Sequence, residues 1–152
     1  MMEKEMKVAA LCNGTVIDHI PAEQLFTVVE ILDLKHCSGQ ITIGNNLDSQ
    51  KMGSKGIIKI SDRFLDESEA NKIALIAPHA KINIIRNYEV VEKRNITLPE
   101  EINGIVHCPN PKCITNNQPV TTRFHVITYK DGIRLRCHYC EKEVEQNNIK
   151  IN

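Results

Sequence analysis

The chain contains no tryptophan, and aromatic residues make up only 4% of its 152 positions. Any core it builds must therefore be aliphatic. Net charge is also missing: 19 Lys and Arg cancel 19 Asp and Glu. No overall field draws such a chain toward nucleic acid or an anionic membrane, although local patches remain possible. Long apolar runs are absent too, the stretch IALIA at 73–77 being far too short to span a bilayer. The opening MMEKEMK mixes charges of both signs without an apolar stretch, so no secretory signal is expected and the default location is cytoplasmic. A phosphate loop is lacking, because GSKG at 53–56 has the wrong spacing for one. Asp18-His19 invites a catalytic reading, but no Ser or Cys nucleophile with an oxyanion hole accompanies it. On the residues alone that pair reads as an exposed feature at a strand end.

What is present is a soluble-type composition, 41% hydrophobic and 25% charged, enough for one ordinary domain or two small ones. Six cysteines are distributed unevenly. Cys12 and Cys37 stand alone and read as small, partly buried side chains. Cys108, Cys113, Cys137 and Cys140 form two close pairs, Cys-x4-Cys and Cys-x2-Cys, separated by residues 114–136. In a reducing compartment stable disulfides are disfavoured. A redox Cys-x-x-Cys belongs beside a thioredoxin-like unit, and none is evident. Two pairs at this spacing, joined by a hairpin, predict a zinc ribbon whose four thiolates hold one structural Zn2+ in a closed shell. His107 or His138 competes as a substitute ligand, but with four thiols at hand each reads as a flank.

Two textures divide the chain, with the boundary in NITLPEEING (95–104). Residues 1–97 read as alternating strands and helices. TVIDHI (15–20) is a period-2 strand. A helix beginning at Pro21 follows, with Leu25, Val28, Val29 and Leu32 on one face. QITIGNNL (40–47) and GIIKI (56–60) are strands joined by the loop DSQKMGSK. Asp66 and Glu69 form a capping-box start to a second helix that turns Ala70, Ile73, Ala74 and Ala77 inward and stops at Pro78. AKINII (80–85) and YEVVEK (88–93) complete the set. The order β-α-β-β-α-β plus a terminal strand predicts an α+β, ferredoxin-like antiparallel sheet with two helices on one face. Residues 98–152 predict a small all-β zinc-ribbon-like domain, with TRFHVITY and IRLRC as a hairpin turned at Asp131-Gly132. So small a core usually needs a staple. Lys55, Lys59, Lys93 and Arg94 lie on or beside strands, and would hold a polyanion only if they converge.

With both halves read, the chain resembles the regulatory chains of aspartate carbamoyltransferase over nearly its whole length. The resemblance rests on GTVIDHIPA (14–22), ITIGNNL (41–47), MGSKGIIKI (52–60), NYEVVEK (87–93), LPEEI (98–102) and the closing HCPNPKCI and RCHYCEKE blocks. It implies a non-catalytic subunit of pyrimidine biosynthesis, with an N-terminal domain that binds CTP as inhibitor or ATP as activator. It further implies that the zinc domain docks on the catalytic chain, and that homodimers of regulatory chains tie two catalytic trimers into a dodecamer. Cys108, Cys113, Cys137 and Cys140 match the zinc ligands. The implied nucleotide pocket uses Ala10, Leu11, Asp18, His19, Lys59, Asn83, Tyr88, Val90 and Lys93. The rival reading is a zinc-ribbon nucleic-acid-binding module. Residues 100–152 carry seven Lys/Arg against six Asp/Glu, which is too balanced for a phosphate-binding surface.

Overall fold

The computed structural model describes residues 11–50, 53–96, 98–130 and 132–152. The chain divides into two compact units, Met1–Ile96 and Thr97–Asn152. In the first, strands β1 (Gly14–Pro21), β2 (Ile41–Ser49), β3 (Gly53–Ser61), β4 (Lys81–Arg86) and β5 (Glu89–Asn95) form one antiparallel sheet in the order β2-β3-β1-β4-β5. Two helices, α1 (Leu25–Ile31) and α2 (Glu67–Ile76), complete the α+β fold.

Register decides which side chains share a face. Ile17 stands opposite Ile58 on one side and Ile82 on the other, and Thr15 opposite Ile60 and Ile84. Directly opposed residues point the same way, so these aliphatics form one continuous surface. Helix α1 closes over it: a Cβ on Gly56 would lie 2.6 Å from Leu25 Cδ1, so any side chain there would have to push the Leu25 methyl aside. Ile17, Ile58, Ile60, Leu25, Ile73 and Ile82 are completely shielded. Each such burial contributes roughly 1.5–3 kcal/mol. Among the described residues of this unit the buried polar side chain is Thr15, whose hydroxyl donates to the Arg63 carbonyl at 2.7 Å, so its burial is satisfied.

Local chemistry sets the ends of the elements. The Asp66 carboxylate accepts the Glu69 N–H at 2.8 Å, and the Glu69 carboxylate accepts the Asp66 N–H at 3.2 Å, which is the expected capping box. Helix α2 ends at Ile76, two residues before Pro78, because Pro disfavours helical geometry in the residue before it. Other boundaries differ from the sequence expectation. Pro21 still pairs with Lys55, so it ends β1, and a 3-10 turn over Ala22–Gln24 precedes α1. The expected loop at 48–55 is shorter, since β2 continues to Ser49 and β3 begins at Gly53. Tyr88 sits in the β4–β5 turn rather than in β5. Asn87 and Tyr88 both have positive φ, 51° and 68°, the geometry of a tight two-residue hairpin.

In the second unit, β6 (Glu101–Asn103), β7 (Arg123–Tyr129), β8 (Gly132–Cys137) and β9 (Glu143–Glu145) make a four-stranded antiparallel sheet in chain order. The expected hairpin is its centre, with Asp131 of its turn outside the described residues. Two three-residue strands, β6 and β9, were not anticipated, because segments so short carry no readable period. Phe124, Leu135, Ile102, Val144 and Val106 are buried beside the cysteines.

Candidate functional site

The four clustered cysteines meet at one end of this second sheet. Their Sγ atoms all lie within 4.8 Å of one another. Cys108 is 3.7 Å from Cys140, and Cys113 is 3.7 Å from Cys137. A disulfide needs about 2.05 Å, and all six cysteines are free. A tetrahedral ion with metal–sulfur bonds of about 2.3 Å has edges of about 3.8 Å, which these spacings match. The sequence-predicted quartet is therefore one site in space, with Cys108, Cys113 and Cys137 buried.

The knuckles are held by local hydrogen bonds. Asn116 donates its amide to the carbonyls of Cys108 (2.9 Å) and Asn110 (2.7 Å), while Asn117 donates to Pro111 (3.0 Å) and Cys113 (2.8 Å). The second knuckle turns at Glu141 (φ 65°), whose N–H reaches the Cys137 carbonyl at 2.9 Å. Cys113 Sγ accepts the Thr115 hydroxyl at 3.2 Å. Without an ion the four thiols titrate unequally. Burial pushes Cys108 up to about 12, with the neighbouring sulfurs adding to the effect. At Cys140 burial opposes ionisation, yet the Lys142 backbone N–H and Asn110 bring it down to about 7. A divalent cation supplies the charge such a set requires. No position in a four-sulfur shell is left for substrate, so the arrangement can staple the fold but not catalyse.

A second constellation lies on the face of the first sheet opposite the helices. Val16 of β1 faces Lys59 on β3 and Asn83 on β4, and Asn83 in turn faces Lys93 on β5. Lys59, Asn83 and Lys93 thus project from one row. Ile85 faces Val90 across the β4–β5 pair on the same face. The basic residues separate accordingly. Lys55, Ile57 and Lys59 alternate on regular β3 and stay on the open face. Arg94 pairs with Ile82 instead and turns to the helix side, donating to the Leu65 carbonyl at 3.3 Å.

Asp18 and His19 occupy a bulge within β1, where the pairing with β3 shifts between Ile17 and Ile20. His19 has φ 59°, and its N–H donates to Asp18 Oδ1 at 2.6 Å. The pair is half-buried, 22% and 23% exposed, not the exposed strand end that the residues alone suggested. Bulges commonly re-aim side chains in this way. Asp18 also takes an ion pair from Lys55 Nζ at 2.9 Å. Burial pushes the Lys59 ammonium below its ordinary range, and the Asp18 charge partly opposes this. Tyr88 is 67% exposed at the far end of β1, where its N–H bonds to the Cys12 carbonyl, beside Leu11 in the chain. Ala10 lies outside the described residues. Val16 and Ile85 had no place among the sequence candidates, and Lys55 stood there only as one of four basic residues that would hold a polyanion if they converge. The period-2 alternation of β3 is what sets Lys55 on the same face as Lys59.

Family comparison covers both units. Residues 6–97 match the model described as aspartate carbamoyltransferase regulatory chain, allosteric domain, and residues 100–150 match the one for the metal binding domain of the same chain. Curated proteins named aspartate carbamoyltransferase regulatory chain are similar from end to end. The one from Bacteroides fragilis is 58% identical over 149 residues, covering 98% of this chain and 97% of its own. That from Phocaeicola vulgatus is 57% identical over 149 residues, covering 98% and 96%. That from Pyrococcus horikoshii is 51% identical over 150 residues, covering 97% and 98%.

Proposed function

The chain belongs to the aspartate carbamoyltransferase regulatory-chain family, and from that premise we propose that its first unit binds CTP and ATP on the open sheet face. The observation that carries this reading is the row Lys59–Val16–Asn83–Lys93. Three strand spacings of roughly 4.8 Å separate Lys59 from Lys93 by about 14 Å. Two lysines that far apart do not share one phosphate; they suit the two ends of an extended ligand. The triphosphate lies toward Lys93, whose ammonium is exposed. Base and ribose lie toward Lys59 and Asp18, where a half-buried ion pair can be exchanged for hydrogen bonds. Leu11, Tyr88 and Val90 add apolar edges, and His19 stands beside Asp18 at the bulge.

A regulatory chain acts only through unequal binding. CTP lowers and ATP raises activity to the extent that each prefers one of two states of the assembly. Zn2+ on Cys108, Cys113, Cys137 and Cys140 shapes the second unit, which docks on the catalytic chain. Homodimers of regulatory chains join two catalytic trimers. The chain performs no chemistry of its own.

The test is Lys93→Ala in the assembled enzyme. Removing the charge at the phosphate end is expected to weaken CTP and ATP binding at least tenfold, about 1.4 kcal/mol. Both nucleotide effects should vanish while metal content stays unchanged. Calorimetry showing unaltered nucleotide affinity in this variant would remove the proposed pocket.

A further inference from the structure

The open face of the second sheet carries a histidine pair that the cysteine cluster does not use. His125 stands on β7 directly opposite Arg136 of β8, and His138 lies two residues beyond Arg136, inside the second knuckle between Cys137 and Cys140. Diagonal neighbours of this kind are within reach for ring side chains. Here they touch. His125 Nε2 is 3.0 Å from His138 Nδ1, and the ring planes are tilted by 48°. The rings border a hollow of about 510 Å3, lined otherwise by Arg136, Cys137, Glu141 and Glu143. Glu141 and Glu143 offset Arg136 and the Arg134 that pairs with Glu143, so no net positive charge opposes a cation there. Glu101, directly across from His125 on β6, adds a third carboxylate to the neighbourhood, although Arg123 holds it.

We propose that His125 and His138 form a second metal site, distinct from the four sulfurs, for a divalent transition ion of the nickel, copper or zinc class. Two imidazoles are borderline ligands suited to those ions, and their order of affinity rises toward copper. With metal–nitrogen bonds of about 2.05 Å, ligands at a right angle stand about 2.9 Å apart and tetrahedral ones about 3.3 Å. That 3.0 Å contact is a hydrogen bond between the rings, and its length is close to the right-angle case, so an ion can take the place of the shared proton once both rings turn their lone pairs toward it. Water fills the remaining positions, because Tyr129 and Arg134 engage Glu143 and Arg123 engages Glu101. Such an ion clips the outer side of the second knuckle to β7, a strand that contributes no cysteine to the cluster.

The probe is Ni2+, titrated calorimetrically into the untagged full chain with its cysteine cluster already filled by zinc. One Ni2+ per chain is expected, and His125→Asn or His138→Asn should each weaken it at least tenfold without loss of zinc. His36→Asn serves as control, since His36 pairs with Asp33 at 2.7 Å elsewhere on the surface and should leave the titration unchanged. Paramagnetic broadening of the imidazole resonances in the unaltered chain gives a second readout, expected at His125 and His138 first. Wild-type Ni2+ affinity in either variant, broadening centred on another histidine, or no binding at millimolar Ni2+ would each overturn the site.

Discussion

The two units keep their folds by different means. In the first, Ile17, Ile58, Ile60, Ile73 and Ile82 are fully shielded between sheet and helices, together with Leu25. In the second, the buried apolar side chains apart from cysteine are Ile102, Val106, Phe124, Leu135, Val144 and Ile149 among the described residues. A sheet with no α-helix against it among the described residues, and so few large apolar groups, sits at the margin where burial no longer offsets chain entropy. Four sulfurs converging within 4.8 Å replace the missing core. The contrast teaches a division of labour: the aliphatic unit can leave one sheet face open for a ligand, whereas the stapled unit commits its interior to an ion.

The largest effect that sharpens this contrast comes from the staple. Cys137→Ser, or stripping the ion with a mercurial, should remove a binding free energy on the order of 10 kcal/mol from the second unit. Amide resonances of residues 101–152 are expected to collapse while those of 14–95 keep their dispersion. Collapse of both sets together would mean that the two units fold as one. Next comes the aliphatic core. Ile17→Ala leaves a cavity at the centre of the first sheet and should cost about 2–5 kcal/mol in urea denaturation. Metal content should stay at its original level; loss of the ion in this variant would mean that the units are not independently held. The smallest effect is at the helix cap. Asp66→Ala removes one half of the capping box and should cost about 1 kcal/mol, read as a lower Tm of the first unit with nucleotide binding unaltered.

Much of this was legible in the chain itself, for identifiable reasons. The capping box at Asp66 and Glu69 and the strand at 15–20 are local signals that the structure reproduces. Spacing alone paired Cys108 with Cys113 and Cys137 with Cys140. Element ends were less readable where pairing overrode propensity, as at Pro21, which Lys55 holds in the sheet. The strands β6 and β9, three residues each, have too few positions for alternation to register. Arg94 illustrates a deeper limit. It follows Lys93 in sequence, and no composition says which of the two joins Lys59.

By itself, then, the amino-acid sequence determined the order of elements and the aliphatic core of the first unit, and the cysteine quartet of the second. Those properties depend on neighbours within a few residues or on residue type alone. Only the tertiary structure decided that Lys59, Asn83 and Lys93 share a row, that Asp18 and His19 turn on a bulge against Lys55, and that His125 meets His138. Each of those depends on strand register, where a shift of one residue sends every side chain to the opposite face.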